Sequence, residues 1–131
     1  MPARGSPRRS VRSPAAPGRG AVIATLCVAA GAAVGAPLRF ALGRRYDGAL
    51  PWGVLAANVA ASLLLGLCVG WSLDGNALAL VGVGFCGGMS TYSSFAVQTR
   101  DLGLRPGTTY AVLTLGLGLA ATTLGFVAAG R

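Results

Sequence analysis

The sequence contains no histidine, no glutamate and no lysine, and its three aspartates (Asp47, Asp74 and Asp101) all fall in expected loops. Nothing in its apolar stretches could carry a proton at midplane near neutral pH, a relay that proton-driven pumps and antiporters generally need. Hydrolytic catalysis is disfavoured for the same reason, because a nucleophilic Ser or Thr requires an activating base. The three cysteines, Cys27, Cys68 and Cys86, lie inside apolar runs with no CxxC or Cys/His spacing. Buried cysteine behaves as a small hydrophobe, so neither disulfides nor metal ligation is indicated. No acidic ring exists to attract cations to a pore. Enzyme and proton-driven transporter both recede, and passive permeation remains.

What the chain has in quantity is apolar sequence, 53% of its 131 residues against 11% charged. Four runs pass the length test of about 20 residues per crossing: Ala21–Leu42, Trp52–Trp71, Ala77–Thr99 and Thr108–Gly130. The first carries one charge, Arg39, near its end, and the other three carry none. The fold class expected is all-α integral membrane with four transmembrane helices. Short connections, Gly43–Pro51, Ser72–Asn76 and Arg100–Gly107, make successive helices antiparallel neighbours. Residues 21–131 form the membrane domain on this reading, and residues 1–20 a basic tail.

The net charge of +8 does not indicate a nucleic acid partner. Arg4, Arg8, Arg9, Arg12 and Arg19 sit in a Pro/Ser/Gly-rich tail that is compositionally disordered. Basic residues beside a helix usually hold the cytoplasmic side of the bilayer. The same N-terminus also fits a signal peptide, with small residues near Ala30–Ala36 and a twin-arginine hint at Arg8-Arg9. The apolar run continuing to Leu42, with three more behind it, favours a retained first helix.

Hydrogen-bonding groups inside the spans are mostly donors that can also accept. In the second span Asn58 is the only strongly polar side chain, and it faces either a partner helix or a wet pathway. In the third, Gly82, Gly84, Gly87 and Gly88 serve close helix packing or mark a break near Gly87–Thr91. A break would free backbone carbonyls to coordinate a cation. Tyr92 and Phe95, three apart, share a helix face, with Ser93 and Ser94 beside them. Periodicity alone favours core packing for that pair, while the positive edges of aromatic rings could form a weak anion path. In the first span Gly31 and Gly35 suggest a tight contact, Pro37 a kink, and Arg39 either snorkels or draws anions into a vestibule.

These residues spell a pattern that resembles the Fluc/CrcB fluoride channels from Gly31 to Gly125. The strongest stretch is Gly84-Phe85-Cys86-Gly87-Gly88-Met89-Ser90-Thr91-Tyr92-Ser93-Ser94-Phe95, against a signature Gly-Phe-Cys-Gly-Gly-x-Thr-Thr-Phe-Ser-Thr-Phe. Gly35-Ala36-Pro37-Leu38-Arg39-Phe40, Pro51-Trp52-Gly53 followed by Asn58, and Tyr110 with Thr114 corroborate it.

The resemblance implies an antiparallel, dual-topology dimer with two fluoride pores and a broken third helix. It implies a structural Na⁺ held by the backbone carbonyls of Gly87 and Ser90. Asn58, Tyr92, Ser93, Ser94, Phe95 and Thr114 would line the pore, and Arg39 the vestibule. Tyr92 departs from the family by placing a phenol where a phenylalanine stands, which opens a heterodimer with a homologous chain as the alternative to a homodimer. The implied partners are fluoride and the lipid bilayer, in a multi-pass cell-membrane protein that exports fluoride passively.

The arginines bear on orientation. Six (Arg4, Arg8, Arg9, Arg12, Arg19 and Arg131) fall on one side of four spans and four (Arg44, Arg45, Arg100 and Arg105) on the other. Local Lys/Arg excess sets orientation, so this near-balance permits insertion both ways. The competing readings are a small multidrug transporter, which relies on a first-span glutamate absent here, and a membrane subunit silent without its partner.

Overall fold

The computed structural model describes residues 18–130. The arginines of the tail before residue 18, and Arg131, lie outside the described residues. The order is α1 (Arg19–Tyr46), α2 (Trp52–Gly70), α3 (Gly75–Ala77), a π-helical segment π1 (Leu78–Cys86), α4 (Gly87–Met89), α5 (Tyr92–Asp101) and α6 (Leu104–Ala128). The third span, Gly75–Asp101, comprises α3, π1, α4 and α5. All four spans are long and apolar enough to cross a membrane. Among the described residues there is no strand, only an isolated bridge from Asp47 to Pro51 that closes the first turn. The fold is an all-α membrane fold.

The third span, Gly75–Asp101, runs two residues beyond Ala77–Thr99 at each end, and the first and fourth helices depart further from expectation. The first helix starts at Arg19, inside the segment assigned to the tail, and runs four residues past Leu42 to Tyr46. Its last turn holds Arg44 and Arg45, whose charge suits the negative end of the helix dipole. Asp47 N–H closes that turn onto the Gly43 carbonyl at 2.9 Å. The fourth helix begins at Leu104 and not at Thr108. Gly103, at φ 81°, makes the reversal out of α5 in a conformation that only glycine takes readily. Pro106 then sits in the first turn, where its missing N–H costs nothing. Sequence reading also gave no hint of π1, the part of the third span wound with i→i+5 hydrogen bonds.

Small residues make the helix contacts. Lipid tails are as apolar as leucine, so helices in a bilayer associate through close packing rather than by escaping solvent. The interior accordingly holds Ala57, Ala61, Cys86 and Met89, with Leu42, Leu64 and Phe85 packed around them. Large side chains such as Leu26, Leu119 and Leu124 face outward.

Two seams organise the bundle. Gly31 and Gly35 of α1 lie flat on the third span, where a Cβ would overlap the carbonyls of Leu80 and Phe85. Gly66 of α2 and Gly125 of α6 do the same for the second and fourth spans, against the carbonyls of Thr122 and Leu63. Thr122 Oγ1 adds a bond to the Ser62 carbonyl at 3.2 Å. Together the seams carry α5 to the flank of α6 and α4 to the flank of α2.

Candidate functional site

Between α4 and α5 the backbone of Ser90 (φ −80°, ψ 155°) and Thr91 (φ −152°, ψ 125°) is extended. In a continuous helix the Thr91 N–H would meet the carbonyl of Gly87. It donates instead to Oδ1 of Asn58 on α2, at 2.9 Å. Thr91 Oγ1 in turn accepts from the Ser94 N–H at 3.3 Å and caps α5. One asparagine and one threonine thus replace the lost helical bonds on both sides of the extended pair.

The Asn58 bond also orients that side chain. A backbone N–H can only donate, so the amide must turn its oxygen toward Thr91 and keep its two Nδ2 protons for the groove it lines. That groove, about 580 Å³, runs between α2, α5 and α6. It brings together Asn58, Tyr92, Phe95 and Thr114 with Ser90 and Thr91. Thr114 is buried on the groove side of α6, and its Oγ1 has no partner in hydrogen-bond geometry among the described residues.

Aromatic rings form one flank. Tyr92 and Phe95 lie 6.2 Å apart at 44°, and Phe95 and Tyr110 lie 5.9 Å apart at 33°. Tyr92 is 81% exposed, which removes the core-packing reading for that ring. Tyr110 is buried, so the series runs from the open surface into the bundle.

The remaining sequence-derived candidates are not in this groove. Ser94 shares a second cavity, about 380 Å³, with Arg39, Asp47 and Gln98 on the far face of α5. Arg39 reaches the Ser90 carbonyl at 3.5 Å, the outer limit of a hydrogen bond. Ser93 is exposed, its hydroxyl 3.2 Å from Thr91 Oγ1. Gly87 borders a third hollow beside Cys86, and Ser62 and Ser90 line both that hollow and the groove. Among the described residues no three His, Cys, Asp or Glu side chains gather as a metal site.

Sequence reasoning missed Asp47 and Gln98 altogether. Asp47 Oδ2 accepts from Gln98 Nε2 at 3.4 Å, and Tyr110 donates to Gln98 Oε1 at 3.3 Å. A usable signal existed for Gln98: it is the only glutamine in the chain and stands three residues after Phe95.

Four apolar spans, three of them bordering a neutral, donor-lined groove, define a multi-pass helical membrane protein whose site suits permeation rather than bond chemistry. Over residues 26–126 the sequence matches the family described as CrcB-like protein, Camphor Resistance (CrcB). The chain belongs to that family. It is similar to fluoride-specific ion channel FluC 2 of Rhodococcus jostii (strain RHA1), 45% identical over 108 residues, covering 77% of this chain and 94% of the relative. FluC 1 of Frankia casuarinae is 46% identical over 90 residues, 59% of this chain and 70% of its own. FluC 1 of Thermobifida fusca is 37% identical over 113 residues, 80% and 94% respectively.

Proposed function

We propose that this chain forms a passive fluoride-selective channel in the cell membrane, exporting fluoride down its electrochemical gradient. It is a channel and not an enzyme, in keeping with relatives named as fluoride-specific ion channels. The observation that carries the reading is the convergence of Asn58, Phe95 and Thr114 on one groove with no formal charge among its lining residues. Fluoride is small, strongly hydrated and a strong hydrogen-bond acceptor, so a pore must replace its water with donors. The Asn58 amide, the Thr114 hydroxyl and the ring edges of Phe95 and Tyr92 supply them without a full positive charge. Conduction needs binding favourable enough to enter and weak enough to leave.

Further parts of the reading concern assembly. Two copies of the chain, inserted in opposite orientations, form a dimer in which the third helix is functionally broken at Ser90–Thr91. Because Asn58 takes the Thr91 N–H, the Gly87 carbonyl has lost its helical donor. Among the described residues nothing else donates to it, so it can face a hard cation, and the Ser90 carbonyl is met there only by the long Arg39 contact. These oxygens fit Na⁺, which prefers backbone carbonyls where helices unwind. Bound there, Na⁺ would supply positive charge near an anion path. The antiparallel copy would present the same carbonyls from the opposite direction.

Reconstituting the purified chain in liposomes and following release with a fluoride electrode tests this. Fluoride efflux without chloride efflux is expected. Equal release of both ions would overturn the selectivity, and no release until a homologous chain is added would establish the silent-subunit alternative. Proton-coupled uptake of a cationic dye would revive the multidrug reading. Exchanging Na⁺ for a larger monovalent cation should lower both flux and dimer stability if the carbonyl site holds Na⁺.

A further inference from the structure

We propose that Asp47 is a positioning residue for the permeation groove, acting through Gln98 to fix the hydroxyl of Tyr110 and the ring that backs Phe95. The inference rests on the channel reading above.

A carboxylate accepts hydrogen bonds and never donates when ionised. Asp47 Oδ1 accepts the N–H groups of Gly53 at 2.8 Å and Val54 at 3.3 Å, covering the start of α2. Its Oδ2 faces Gln98 at 3.4 Å, so the amide must turn Nε2 toward Asp47. Oε1 then points the other way, and the only bond it can make with a hydroxyl is as acceptor. Tyr110 donates to it at 3.3 Å. Every donor in this chain runs toward Asp47, and the order is set by the one group that cannot donate.

Two consequences follow for an anion nearby. The Tyr110 proton is committed to Gln98, which anchors its ring at 5.9 Å from Phe95. The Asp47 carboxylate, whose charge would repel fluoride, is exposed, accepts hydrogen bonds from α2 and α5 and shares its cavity with Arg39 and Arg44, which offset that charge. The Asp47–Gln98 bond spans 51 residues of sequence, and with the Gln98–Tyr110 bond it ties the first turn to α5 and α6.

An amide–carboxylate exchange tests the direction of the chain. Gln98→Glu sets two carboxylates face to face, and fluoride efflux should fall about tenfold, the cost of roughly one pK-unit of like-charge repulsion. Adding Asp47→Asn to that variant restores complementarity. The new amide at 47 still covers α2 through its oxygen and donates to the new carboxylate at 98, which still accepts from Tyr110. Efflux should return to within about twofold of the parent, since a restored pair leaves little residual coupling. Melting temperature in detergent is followed for each variant. The proposal is overturned if the double variant conducts no better than Gln98→Glu, if Gln98→Glu conducts like the parent, or if melting recovers while efflux does not. Should the unaltered chain release no fluoride, the channel reading fails separately. The hydrogen-bond chain is then supported by a melting loss in Gln98→Glu that the double variant reverses, and overturned without one.

Discussion

The second and fourth spans meet mainly through bare backbone, whereas the centre of the third span is held by side chains. Gly66 and Gly125 let α2 and α6 approach until a single added carbon would strike a carbonyl. At Ser90–Thr91 the backbone has left helical geometry, and Asn58 and Thr91 supply the missing hydrogen bonds. The first arrangement stores its specificity in shape, and the second in polar satisfaction. Lipid offers neither donors nor acceptors, so an opened turn survives only where protein completes it. A site built this way comes with unspent donors, such as Asn58 Nδ2, at the place where the helix opens.

Bulk added to the shape-held seam should have the greatest consequence. Gly125→Leu drives a side chain into the Leu63 carbonyl and to within 2.9 Å of the Leu67 nitrogen. The cost should exceed the ~1–3 kcal/mol typical of an overfilled core, because backbone cannot repack. Loss of monodisperse protein on size exclusion is expected. A sharp peak with an unchanged melting temperature would show that the seam tolerates the bulk.

Next in size is the polar joint. Asn58→Leu removes the acceptor of the Thr91 N–H, a deficit of about 1–3 kcal/mol, and deletes the Nδ2 donors of the groove. Fluoride efflux should fall about a hundredfold, equivalent to ~2.7 kcal/mol at the barrier. Elution should stay normal, because the glycine seams are untouched. Persisting flux would place the ion path elsewhere. Thr91→Ala is milder: it loses the cap on Ser94 N–H, about 1 kcal/mol, and should slow efflux about fivefold. Thr91→Ser should keep the parent rate. Equal rates in the two would mean that the cap has no part in shaping the groove.

How much of this could be read from residues alone divides along the same line. The four spans were legible because hydropathy accumulates locally, and Gly31 and Gly35 announced a close contact by their spacing. Co-location of Asn58 with the third span was not legible from periodicity; it came from the family pattern. Helix ends were misjudged where a turn was set by one residue's geometry, as at Gly103, or by a cap, as at Asp47. The pitch of π1 left no mark in composition. Nor could the Asp47–Gln98–Tyr110 chain be seen, since it joins residues far apart whose side chains look ordinary singly.

The smallest expected effect concerns the residue that departs most from the family signature. Tyr92 sits at the outer end of the ring series, 81% exposed, while Phe95 is flanked by rings on both sides. Its hydroxyl therefore projects from the least enclosed ring. Tyr92→Phe removes that hydroxyl and leaves the ring pair in place. Since an exposed hydroxyl contributes about 0.6 kcal/mol at most, efflux should rise by no more than about threefold. A rise of about a hundredfold would mean that the phenol obstructs the path, and that a homodimer of this chain is slow by construction of its own pore. No change would mean that the inner ring, Phe95, sets the rate and that the outer position accepts either side chain.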